Sequence, residues 1–88
     1  MPWRLKYTKQ AQKDSLKLAS AGLKGQVEKL LTILAENPYQ SPPSFEKLKG
    51  TPTPVYSRRI NLQHRLVYQV FEDGQLVKIL RMWTHYGD

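Results

Sequence analysis

The sequence predicts an α+β domain in which two N-terminal helices pack on one face of a mostly antiparallel, twisted sheet of about five strands. Three observations carry this. In the first half of the chain Leu23, Val27, Leu30, Leu31 and Leu34 fall at i, i+4, i+7, i+8 and i+11, the stripe of an amphipathic helix. In the second half the apolar residues recur instead at period two, in short runs separated by turn-forming residues. One further alternating run, Trp3 Arg4 Leu5 Lys6 Tyr7, precedes the helices.

Taken in order, residues 2–7 are expected to form a half-buried strand. Thr8 then caps a helix from Lys9 to Ser20, with Ala11, Leu16, Leu18 and Ala19 as its apolar face and Gly22 as its stop. The leucine-striped second helix starts at Leu23 and ends at Asn37 Pro38. Three prolines within residues 37–43 keep that stretch out of helix and central strand, because proline lacks the amide proton and fixes φ. Four strands come next as a meander: Phe45–Lys49, Val55–Ile60, His64–Glu72 and Leu76–Tyr86. In the third of these, Leu66, Tyr68 and Val70 share a parity and should face the helices. The last is apolar on both parities through Trp83, which predicts an interior position.

With 88 residues the chain is expected to be a single domain, residues 1–88, since splitting begins beyond about 250 residues. Fourteen Lys and Arg against seven Asp and Glu give a net charge of +7, a bias toward polyanionic partners such as RNA. Cysteine is absent, which excludes a disulfide framework and thiolate metal sites and fits a reducing cytoplasm. No apolar run is long enough to span a bilayer, and the first residues lack the features of a signal peptide. The expected location is therefore cytoplasmic.

The inventory of reactive groups is short. With His64 and His85 as the only histidines and no phosphate-binding glycine loop, neither a metal centre nor a nucleotide cofactor is expected. Ser57 lies inside an alternating strand rather than on a sharp turn, so it is not expected to act as a nucleophile. What remains is an acid-base set on a cationic background. Glu46 sits in Phe45 Glu46 Lys47 Leu48 Lys49, while Arg58, Arg59, His64 and Arg65 cluster across one hairpin, and His85 Tyr86 stand near the chain end. Singly, each of these residues also suits an ordinary surface or strand-end role.

Together they carry a resemblance. Tyr56 Ser57 Arg58 Arg59 Ile60, then His64 Arg65 Leu66 Val67 Tyr68, then Trp83 Thr84 His85 Tyr86 resemble, in order and spacing, the YoeB (Txe) family of bacterial toxins within the RelE superfamily. The likeness runs from the first strand to Tyr86. It implies a RelE-like fold and a ribosome-dependent endoribonuclease that cuts messenger RNA in the ribosomal A site. It also implies a cognate antitoxin of the YefM or Axe type, and a toxin dimer within the complex. On the matching motifs, Glu46 corresponds to the general base, Arg65 to the phosphate-binding arginine, His85 to the general acid and Tyr86 to the terminal tyrosine. Lys49 and Arg59 match basic residues around the scissile phosphate, and Arg58 joins them as an expected RNA contact. The chemistry is coherent. RNA brings its own nucleophile, the 2′-hydroxyl, so a base, phosphate-binding cations and an acid suffice, with no cofactor.

The sequence also departs from the family. Gly87 and Asp88 come after the His-Tyr pair at which members commonly finish, and Gly50 stands where some relatives carry a basic or ring-bearing residue. Two other functions remain open to a chain of this fold and charge: a ParE-like toxin that binds gyrase, and a non-catalytic RNA- or ribosome-binding module.

Overall fold

The computed structural model describes residues 2–83. Its elements are β1 (Arg4–Tyr7), α1 (Lys9–Ser20), α2 (Lys24–Glu36), β2 (Phe45–Leu48), β3 (Val55–Arg59), β4 (Arg65–Phe71) and β5 (Leu76–Arg81). The five strands form one sheet in the order β1-β5-β4-β3-β2, so the last four are the expected meander. Of these strands only β1 runs parallel to its neighbour, adding to the β5 edge with Leu5 beside Val77 and Tyr7 beside Ile79. β5 is thus interior, as its two-sided apolar pattern predicts, with β4 in the middle of the sheet. Among the described residues no helix is long and apolar enough to cross a membrane.

Both helices cover the face that carries Leu66, Tyr68 and Val70. Ala11 and Leu18 of α1 and Val27, Leu30 and Leu34 of α2 pack there against Tyr56, Leu66, Tyr68, Val70, Val77 and Ile79. Thr8 caps α1 as expected, its hydroxyl accepting from the Ala11 amide at 3.0 Å. The same hydroxyl donates to the Leu80 carbonyl at 2.8 Å, which ties the start of the helix to β5. Gly22, at φ +77°, lets the chain reverse between the helices without a Cβ clash.

Two expectations need correction. Leu16 is 71% exposed and Ala19 is exposed as well, so both lie outside the core. The inward positions of α1 are 11, 14 and 18, an i, i+3, i+7 set that places Asp14, not Leu16, in the interior. Asp14 in turn explains the second correction. The last strand stops at Arg81, because the amides of Met82 and Trp83 donate to the Asp14 carboxylate at 3.0 and 3.3 Å and so leave the ladder. The remainder of the expected strand, residues 84–86, lies outside the described residues.

Asp14 is fully buried and is paired with Arg81 at 3.3 Å and Gln10 at 2.9 Å as well. Burial alone would raise its pKa, but the hydrogen bonds from Met82, Gln10, Arg81 and Trp83 outweigh that and hold the carboxyl below the ordinary aspartate value. Its contribution to stability is therefore complete above the unfolded-state pKa of about 3.9 and is lost as pH falls through the lower folded value. Asp14→Asn should cost about 1–3 kcal/mol at pH 7. In thermal unfolding followed against pH, the gap between parent and variant should close below about pH 4.

Candidate active site

The pleat sorts the basic hairpin onto two faces. Along β3, Tyr56 and Arg58 point to the helices while Ser57 and Arg59 point away from them. In register, Glu46 on β2 stands opposite Ser57, and Arg59 stands opposite Arg65 on β4. These four side chains thus converge on the sheet face away from the helices. They line a cavity of about 250 Å³ together with Ser44 and Phe45.

The electrostatics of the cavity are unbalanced. Two arginines directly opposite each other on adjacent strands repel, a pairing that costs stability unless an anion lies between them. One anion is Glu46, whose Oε2 lies 3.7 Å from Arg65 Nη1. Glu46 is 68% and Arg65 26% exposed at the side chain, so solvent weakens the pair to at most about 1 kcal/mol. Such a pair exchanges readily for a stronger anion. Arg59 is exposed.

The turn after β3 sets where Arg65 begins. Asn61 Oδ1 accepts from the amides of Gln63 and His64 at 2.8 and 2.7 Å, and the Ile60 amide closes the turn on the His64 carbonyl at 2.8 Å. The His64 ring, buried, stacks on Trp83 at 3.8 Å between centroids and 21° between planes. Because Asp14 also holds the Trp83 amide, the end of the described chain is fixed beside the turn that carries Arg65.

The expected site residues therefore divide. The structure brings Glu46, Arg59 and Arg65 together. Lys49 is exposed one residue beyond β2 and does not line the cavity. His85 and Tyr86 lie outside the described residues. Arg58 is the correction: it is 1% exposed and faces the opposite side of the sheet. Its guanidinium donates to the Tyr68 hydroxyl at 3.1 Å and to the carbonyls of Pro43 at 2.7 Å and Pro38 at 2.9 Å, and it lies 4.7 Å from the Phe45 ring centre. With its donors already engaged on the side of the sheet away from the cavity, this guanidinium is not available to RNA there. Sequence reasoning missed Ser57 as part of the site, although its parity with Glu46 and Arg59 was readable from the strand pattern.

A family model described as the YoeB-like toxin of bacterial type II toxin-antitoxin systems matches residues 6–86. The chain belongs to this family of YoeB-like toxins. Its fold is similar to the YoeB/ParE toxin from Agrobacterium tumefaciens, at 27% identity over 94% of this chain and 99% of that one, with a TM-score of 0.83. It is also similar to the archaeal RelE-RelB complex from Pyrococcus horikoshii OT3, at 26% identity with both chains fully covered and a TM-score of 0.81. A third likeness is to the YoeB-YefM complex from Staphylococcus aureus, at 30% identity over 98% of this chain and 100% of that chain, TM-score 0.76. No curated protein matches in sequence.

The role of Arg58 in this YoeB-like toxin is open to direct measurement. Arg58→Ala removes the donor to the Pro43 carbonyl and to the Tyr68 hydroxyl, leaves the Pro38 carbonyl with the Tyr68 hydroxyl alone, and empties the space the side chain fills, so it should cost about 3 kcal/mol or more. In a thermal melt this is a drop in Tm above about 10 °C. Arg58→Lys, a point charge without the planar fork, should recover only part of it.

Proposed function

We propose that this toxin is a ribosome-dependent endoribonuclease that cleaves messenger RNA in the ribosomal A site and so inhibits translation. The observation that carries the reading is the convergence of Glu46, Arg59 and Arg65 on one sheet face, a carboxylate beside two opposed guanidiniums. Glu46 takes the proton from the 2′-hydroxyl as its oxygen attacks phosphorus. Arg65, in bidentate contact, and Arg59 hold the non-bridging oxygens on which charge accumulates, with Lys49 adding to the field along the RNA. As the bond from phosphorus to the 5′-oxygen breaks, His85 protonates the leaving oxygen, and Tyr86 stands beside it in the chain. The products are a 2′,3′-cyclic phosphate, or the 3′-phosphate from its opening, and a 5′-hydroxyl. The attacking oxygen belongs to the substrate, so the reading requires no metal ion or cofactor.

Its partners are the ribosome with its messenger, in the cytoplasm, and a cognate antitoxin of the YefM or Axe type. Support for the antitoxin comes from the YoeB-YefM and RelE-RelB complexes that the fold resembles. A net charge of +7 favours an acidic antitoxin segment that folds over the cationic face.

Single-turnover cleavage on programmed ribosomes tests the reading. Arg65→Ala should keep the fold and lose at least about 10²-fold in rate, with Arg65→Lys recovering part of the loss. His85→Ala should also cost about 10² or more, the range for a positioned acid. Product ends should be 5′-hydroxyl. A 3′-hydroxyl end, or cleavage by Arg65→Ala at the parent rate, would overturn the mechanism, and gyrase inhibition without cleavage would favour the ParE-like alternative.

A further inference from the structure

Ser57 sits on the strand between Glu46 and Arg65, and its neighbours are the proposed catalytic groups. It pairs across the ladder with Glu46 on one side and Val67 on the other, with Arg59 two residues along the same face. It is 2% exposed, and its hydroxyl has no hydrogen-bond partner among the described residues. A hydroxyl in that state costs stability, since burial strips its water and returns nothing. Asp14 and Arg58, also buried, are treated differently. Asp14 is held by four donors, and Arg58 engages three acceptors. An orphan at the floor of a cavity walled by two arginines is therefore best explained by a partner that arrives with the substrate.

Building on the proposed cleavage reaction, we propose that Ser57 Oγ is a phosphate-binding group of this site, donating its proton to a non-bridging oxygen of the scissile phosphate between Arg59 and Arg65. The chemistry selects an acceptor. The two arginines offer donors only, and Glu46, an acceptor, faces Arg65. A phosphodiester drawn in by the arginines brings acceptor oxygens toward the strand that carries Ser57. Ser57 forms no bond to phosphorus and moves no proton from the reacting atoms. Its hydrogen bond fixes the phosphate relative to Glu46, so that the 2′-oxygen lies in line with the leaving group. The small side chain is part of the design, because a longer polar group on β3 would fill the space the phosphate needs.

The test exploits a signature that packing alone does not produce. Ser57→Ala removes one buried oxygen, so its Tm should equal or exceed the parent's by a few degrees while cleavage on programmed ribosomes falls about 10- to 100-fold, the range for one hydrogen bond to a charged group. A second readout needs no turnover. A deoxynucleoside 3′,5′-bisphosphate, which lacks the 2′-hydroxyl, should raise the parent's Tm, with a shift that grows with the logarithm of concentration over Kd, and raise that of Ser57→Ala clearly less. Equal bisphosphate shifts in the two proteins, or cleavage by Ser57→Ala at the parent rate while Arg65→Ala is dead, would overturn the role of Ser57 and leave the ribonuclease reading intact. A Tm well below the parent's with an unchanged bisphosphate shift would assign the hydroxyl to packing. If the parent cuts no messenger yet its bisphosphate shift depends on Ser57, the phosphate site stands and the cleavage reading falls.

Discussion

A single buried cation organises this toxin. Arg58 lies buried against the proline-rich connection, on the side of the sheet that carries the helices, with no carboxylate paired to it among the described residues, a placement that would be prohibitive for an isolated charge. It is tolerated because the three nitrogens of one planar group meet the Tyr68 hydroxyl and the carbonyls of Pro38 and Pro43, while the Phe45 ring lies against its face. Those carbonyls belong to the two ends of the proline-rich connection between α2 and β2. The connection has few amide protons with which to form a ladder, so Arg58 supplies the donors that fasten it to the sheet. The connection leads directly into β2, and β2 carries Glu46. The position of the proposed base thus depends on an arginine on the other side of the same sheet.

The neighbouring aromatic rings extend that clamp. Tyr56 stacks near Tyr68 and meets Phe45 and Tyr39 edge-on, and Tyr39 in turn meets Trp3, so a row of rings contributed from the start of the chain through to β4 runs beside the buried Pro38 end of the connection. Tyr39 also donates to Glu72 beyond the end of β4, and burial with that carboxylate as partner pushes its phenol well above the usual tyrosine range. In a chain of 88 residues little apolar area is available for each loop, and rings that bury large area while keeping a polar end satisfied are an efficient solution.

Much of this was legible in the sequence because most of it is periodic. The stripe from Leu23 to Leu34, the Thr8 cap, and the alternation of Leu66, Tyr68 and Val70 each reflect one local rule, and the elements they predict are present within a residue or two at their ends. The misreadings share a cause: each concerns a polar residue whose partner is distant in sequence. Asp14 acts on Met82 and Trp83, a separation of 68 and 69 residues, and nothing in the spacing of α1 points to that carboxylate. Arg58 and Arg59 read as one basic pair, yet the pleat sends the first into the core and the second to the cavity. Charge counting could not separate them, whereas strand parity could, since Arg58 shares its parity with Tyr56 and Arg59 with Ser57. Glu46 and Arg65 were identified through the family motifs, and their meeting on one face is a consequence of the register of β2, β3 and β4.

Charge closure gives the site its direction. Glu46, Arg59 and Arg65 together carry one net positive charge, which a phosphodiester, with its single negative charge, neutralises. Arg59 and Arg65 oppose each other in register, a like-charge contact worth about 1 kcal/mol or less at this exposure, and the interaction reverses sign once an anion lies between them. The weak, solvent-exposed contact of Arg65 with Glu46 fits that exchange, since in the proposed reaction a phosphate that draws Arg65 away would also leave the carboxylate open to the 2′-hydroxyl. Local instability is thus concentrated on one face, where Arg59 and Arg65 repel and Ser57 lacks a partner among the described residues, while Arg58 and Asp14 lock the opposite face. Buried polar contacts are satisfied on the helical side of the sheet and left unbalanced on the other, and a phosphodiester has the charge and the acceptor oxygens that would complete the proposed site.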